Sequence, residues 1–203
     1  ARDTTLGADD GIGVALALAI LADKSREYPA LEFVCTADEE RGMTGVEAFD
    51  GSLLQGSTLI NLDSDDEGVF IIGCAGGPVV KVFLPIAREA APADVSTLRI
   101  SVRGLLGGHS GEDIHRCRAN SIKLLCRLLY TLKESVALSL VDFMGGLKYN
   151  AIPREAEAII AVPAGDVAKV EELTAAYQTV VAKEYRFSDP DISITCAAAD
   201  AAR

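Results

Sequence analysis

The chain has 203 residues, 49% of them hydrophobic and 24% charged, with a formal net charge of −11 at pH 7. That is material for one or two globular domains, and the negative charge argues against nucleic acid as a partner while leaving divalent cations compatible with clustered carboxylates. The longest apolar stretch, VALALAILA, is too short to span a bilayer, no basic leader resembles a signal peptide, and five scattered cysteines with no C-x-x-C pair fit neither a disulfide framework nor a cysteine zinc site; the expectation is a cytoplasmic protein with no membrane contact.

In chain order, GIGVALALAILADKS (11–25) has the length and residue types of a helix, LEFVCTA (31–37) of a strand, GMTGVEAFDG (42–51) of a short helix and STLINLD (57–63) of a second strand. This is the βαβ alternation of a buried parallel sheet. Both strands run into acids at their carboxyl ends, the edge where such sheets gather ligands. After the glycine turn GCAGGP (73–78) the pattern changes, and VVKVFLPI (79–86) and TLRISVRG (97–104) alternate as antiparallel strands do. From there the reading is strand 97–103, helix 112–133, strand 136–143, strand 156–162, helix 166–185 and strand 191–197. That order, βαββαβ, is the order of a ferredoxin-like unit. The expected fold class is therefore α/β, with part of a three-layer αβα sheet in residues 1–75 and a ferredoxin-like α+β domain in residues 76–203.

Three loops concentrate acids: LGADDGIG, TADEERG and LINLDSDDEG. Singly, each has a plain explanation: a solvated turn at Asp38–Glu40, a helix N-cap at Asp9 or Asp10, a strand-terminal acid at Asp63. Together on one edge of one sheet they repel unless protons or cations are shared, which points to a carboxylate-rich divalent site. Glu39 and Glu40 are neighbours, and neighbouring side chains converge on one site only where a strand has ended and the backbone turns. Both histidines lie in GLLGGHSGEDIHRCRAN. His115 falls in the expected helix and reads as a surface or capping residue. His109 sits between glycine pairs, where backbone approaches a ligand closely; it is either passive in a turn or a donor to a developing oxyanion.

The motifs LGADDGIGVA, TADEERGMTG, LINLDSDDEG, GCAGG, GLLGGHSGEDIH with RAN, and GGLKYNAIPREAEA resemble, in order, those of the Xaa-His dipeptidases (aminoacyl-histidine dipeptidases, peptidase D, cytosol nonspecific dipeptidases). These enzymes belong to the superfamily of dinuclear zinc aminopeptidases, aminoacylases and carnosinases. The likeness runs from about residue 4 to 160. It implies a phosphorylase/hydrolase-like catalytic metallopeptidase sheet in residues 1–75 and a lid or dimerisation domain in residues 76–203. It further implies Asp9 as the carboxylate bridging two metals, Glu40 and Asp63 as ligands of one metal each, and Glu39 as general base. His109 would be the lid histidine stabilising the oxyanion, and Asn150, with His109, would contact substrate. The implied cofactors are two divalent ions, zinc first, then cobalt or manganese. The implied substrates are dipeptides of broad Xaa-His type, and a homodimer or duplicated lid would supply His109 across an interface, remote from the acids of its own segment.

The departures carry expectations too. The family's upstream H-x-D motif and last histidine have no counterpart here, so the chain reads as a central fragment that binds metal weakly or not at all and is itself inactive. Cys117 stands where the family has glycine, read as a tolerated change in the first helical turn. Two other readings stay open: an aminoacylase or deacetylase on the same metal core, and a metal-free scaffold.

Overall fold

Residues 8–64, 66–74, 76, 78 and 80–199 are described in a computed structural model of the chain, which divides into two units, Ala1–Val82 and Phe83–Arg203. In the first unit, helix α1 (Gly11–Ala22) begins where the Asp10 carboxylate accepts the Gly13 N–H at 2.8 Å, satisfying one of the first-turn donors. Gly13 is its one buried residue, and a Cβ there would stand 3.0 Å from the Leu62 Cβ, so a bare backbone lets the helix start lie against residue 62. The rest of α1 is apolar on every side, yet Ile12, Leu16 and Leu18 are exposed. The short helix α2 (Thr44–Glu47) follows a turn with positive φ at Asp38, Gly42 and Met43.

The segments expected as parallel strands, 31–37 and 57–63, carry no ladder among the described residues. Their apolar side chains stay exposed, Leu59 at 86% and Ile60 at 77%. A parallel strand is held by neighbours on both edges and by layers on both faces, and the described residues supply neither. The strand expected at 79–86 is also missing over its described residues 80–86, for want of a partner; Val79 lies outside them.

The second unit closes on itself. Strands β1 (Val95–Arg103), β3 (Ser139–Gly145), β5 (Ala156–Pro163) and β6 (Ser193–Ala198) form one antiparallel sheet in the order β3-β5-β1-β6, with a separate two-stranded ladder of β2 (Gly108–His109) and β4 (Ala151–Ile152). Helices α3 (Ser121–Ser135) and α4 (Val167–Glu184) complete the βαββαβ order. The period-2 residues Leu98, Ile100 and Val102 of β1 and Ala158, Ile160 and Val162 of β5 face Leu125, Leu128 and Leu132 of α3 and Val170 and Val181 of α4, all at most 2% exposed. The opposite face of the sheet is charged, with Arg99 to Glu157 at 3.0 Å and Arg103 to Glu155 at 2.7 Å. The mixed α/β class and the ferredoxin-like order are thus as the sequence predicts.

Two boundaries differ. The helix expected at 112–133 begins only at Ser121, because a 3₁₀ turn over Ile114–Arg116 ends in Cys117 at φ 52°, and Asn120 then caps α3 by accepting from Lys123 N–H at 3.1 Å. Cys117 is therefore not in a helical turn; it occupies the left-handed region where glycine is unstrained. Likewise, the strand expected at 136–143 starts at Ser139 because Val136 still closes α3 through its N–H to the Leu132 carbonyl at 2.9 Å.

Candidate active-site residues in the two units

In the first unit the two adjacent aspartates divide their work. Asp10 is spent on capping α1, while the Asp9 side chain hydrogen-bonds to Asp63. Desolvation, the charges of Asp9 and Asp10, that hydrogen bond and the charge of Glu40 together push the Asp63 carboxyl above the usual carboxylate range. So Asp9, Glu40 and Asp63 share one electrostatic neighbourhood. The Asp9–Asp10 peptide is cis. Glu39 and Glu40 open a 3₁₀ turn over Glu39–Arg41, where successive side chains project about 120° apart. Asp38 precedes it with φ 67° and turns its carboxylate onto the Thr44 hydroxyl at 2.7 Å, while a Cβ on Gly45 would stand 2.3 Å from the Ala37 carbonyl oxygen. The turn at residues 37–43 is thereby packed closely against α2. Asp65 of the third acidic loop lies outside the described residues.

Carboxylate oxygens are the donors hard divalent cations take. Among the described residues, however, no group of three or more His, Cys, Asp or Glu side chains is placed to hold a cation. The described carboxylates of this unit do not fit a metal site unaided.

In the second unit the ladder of β2 and β4 brings two motifs together: His109 pairs with Ala151, and Ser110 N–H donates to the Asn150 carbonyl at 2.8 Å. The two residues expected to touch substrate thus sit side by side, His109 exposed and Asn150 half-buried. The His109 Nδ1 lies 3.2 Å from the backbone N–H groups of both Gly111 and Glu112. A ring nitrogen that accepts carries no hydrogen, so the neutral imidazole holds its proton on Nε2 and presents a donor outward. The His109 N–H in turn donates to Asp113 at 2.9 Å, and this bond, with Arg116, Arg118 and His115 nearby, holds the Asp113 carboxyl below its ordinary range. Gly108, at φ 137°, leaves room for this: a Cβ would stand 2.4 Å from the Asp113 carboxylate. His115 is an exposed residue of the 3₁₀ turn. A cavity of about 660 Å³ opens beside the ladder, with Ser110, Arg118, Asn120, Lys123 and Tyr149 in its wall.

One contributor had no local signal. Asp189, fully buried, accepts the Leu106 N–H at 2.9 Å and the Ala119 N–H at 2.7 Å, on either side of the His109 loop. A single aspartate before proline in FSDPD reads as an ordinary turn residue.

Residues 100–189 match the peptidase dimerisation domain family. Over 194 residues the chain is 45% identical to the cytosol non-specific dipeptidase of Escherichia coli (strain K12), covering 96% of this chain and 40% of that protein. The crystal structure of the aminoacylhistidine dipeptidase from Vibrio alginolyticus superposes with a TM-score of 0.66 at 39% identity, covering 98% of this chain and 41% of that one. The chain spans about two fifths of the length of these relatives. The chain is similar to both dipeptidases along nearly all its length, and the likeness to the peptidase dimerisation domain family is confined to residues 100–189.

Proposed function

We propose that this chain forms part of a metal-dependent dipeptidase, cytoplasmic and homodimeric, acting on dipeptides of broad Xaa-His type. The observation that carries the reading is the shared neighbourhood of Asp9, Glu40 and Asp63, in which the neighbouring charges raise one carboxyl above its ordinary range: a cluster that repels itself becomes favourable when cations offset its charge. The likeness to two dipeptidases supports the substrate class, and the name of the dimerisation domain family supports the second copy.

Asp9, Glu40 and Asp63 are the candidate ligands, with zinc ahead of cobalt or manganese and further donors required from beyond this set. Bound cations would polarise the scissile carbonyl and acidify water. Glu39, on the same turn as Glu40 but pointing elsewhere, is free of ligand duty and takes the proton of the attacking water, delivering it to the leaving amine. His109, with Nδ1 held as acceptor, donates from Nε2 to the oxyanion across a lid interface. Asn150, beside it on the ladder, contacts the substrate.

The test is dipeptide hydrolysis and metal content in the full-length protein. Glu39→Gln should keep its metal and lose ~10²–10⁴ in rate, whereas Asp63→Ala should lose metal as well. Near-normal turnover by Glu39→Gln would remove Glu39 from the chemistry. Hydrolysis unaffected by chelator would overturn the metal-dependent reading.

A further inference from the structure

Resting on the reading of His109 above, the geometry points to Asp189 as a positioning residue that sets the His109 loop by clamping both of its stems with one buried carboxylate. The loop runs from Gly107 to Arg118. Asp189 Oδ1 takes the N–H of Leu106 on its entry stem, and Oδ2 takes the N–H of Ala119 on its exit stem, 83 and 70 positions away in sequence. A fully buried carboxylate is costly unless its oxygens are satisfied, and each oxygen here has a single short backbone donor. The bond lengths of 2.9 and 2.7 Å are those of well-formed hydrogen bonds.

The rest of the loop closure agrees with a clamp rather than an incidental contact. Gly104, at φ 77°, passes so close to Asp191 that a Cβ would stand 2.1 Å from its carbonyl oxygen, so the entry stem is threaded directly against the segment that carries Asp189. Arg154 Nε donates to the Leu105 carbonyl at 3.1 Å and Arg118 donates to the Gly107 carbonyl, leaving the entry stem bonded on several sides. Asp189 is itself fixed, its N–H on the Tyr185 carbonyl at the end of α4 and its carbonyl accepting from Ile192 N–H just before β6. The two ends of the loop are therefore referred to the sheet and α4, elements that hold the unit's core. Because the imidazole is oriented by amides inside the loop, any drift of the stems carries Nε2 with it, and a displacement of about 1 Å at a reacting group costs up to ~10²-fold in rate.

The test uses the full-length protein. Asp189→Asn keeps the shape but places an NH₂ against one of the two backbone donors, releasing one stem. It should lower kcat about 10- to 100-fold with KM and bound metal unchanged, and the Leu106 or Ala119 amide should lose hydrogen-exchange protection. In a His109→Ala background the same change should cost nothing further, since the clamp acts only through that histidine. Asp189→Glu, which keeps both acceptors and moves them by one methylene, serves if the amide does not fold, and should show the same non-additivity. Wild-type kcat in a folded Asp189 variant, or a loss that adds in full to that of His109→Ala, overturns the clamp alone. An unchanged kcat in His109→Ala by itself overturns the role of His109, and the clamp with it.

Discussion

Residues 83–203 and residues 1–82 are similarly rich in apolar segments, yet among the described residues the core of large buried side chains lies in the former. In the second unit every strand of the main sheet finds an antiparallel neighbour within the unit, and two amphipathic helices close one face. In the first, α1 is apolar all round and the segments at 31–37 and 57–63 carry no ladder among the described residues. Hydropathy states what a segment needs; pairing geometry decides whether the need is met. An antiparallel ferredoxin-like unit contains its own partners, whereas parallel strands depend on neighbours brought in by crossovers and on cover for both faces.

The largest effect that would break this contrast is a core truncation. Leu128 on α3 is 1% exposed against Leu59's 86%, so Leu128→Ala should cost about 2–5 kcal/mol and Leu59→Ala no more than about 0.5 kcal/mol by urea unfolding. Equal losses would mean that Leu59 is covered in the native protein. Next in size is Cys117→Gly. The left-handed φ of 52° costs an L-residue ~1–2 kcal/mol, and glycine's extra freedom in the unfolded chain takes back ~0.4–1 kcal/mol. The expected gain is about 0.5–1 kcal/mol, read as a higher urea midpoint with an unchanged slope.

What the sequence made legible follows the same division. The bounds of β1, β5 and α4 come within about two residues of expectation because period-2 and period-3.6 patterns are local. The start of α3 was not legible, because GEDIHRCRAN is compatible with helix and the stop is set by one residue's φ at Cys117 and one cap at Asn120. What the three acid-rich loops made foreseeable was a mutual electrostatic influence, and the charges of Asp9 and Glu40 do raise the Asp63 carboxyl, although no group of three is placed to hold a cation among the described residues. Which aspartate would cap α1 was not foreseeable, since Asp9 and Asp10 are chemically identical and only the turn separates them. Asp189 was invisible for a different reason: its partners lie 70 and 83 positions away, beyond any local pattern.

The smallest effect probes the acidic unit itself. Asp63 has its folded-state pKa raised above the unfolded value of about 3.9, first by desolvation and then by Asp9, Asp10 and Glu40. A raised carboxyl favours the native state fully when protonated, below the unfolded pKa, and that contribution is lost as pH rises through the folded pKa. At pH 7, without cations, the ionised Asp63 therefore works against its own unit. Asp63→Asn removes that charge and should stabilise the chelator-treated protein at pH 7, by at most about 1 kcal/mol because the group is exposed and screened. The gain should vanish below about pH 4, where the wild-type carboxyl is already neutral, and shrink in high salt. A divalent cation should reverse the order, stabilising the wild type more than the variant, because binding to the native state alone adds to its stability. Melting temperatures from pH 3 to pH 8, with chelator and with zinc, decide it. A variant less stable than wild type at pH 7 in chelator would mean that the Asp63 carboxylate holds the first unit together by a bond of its own, and that repulsion does not govern the cluster.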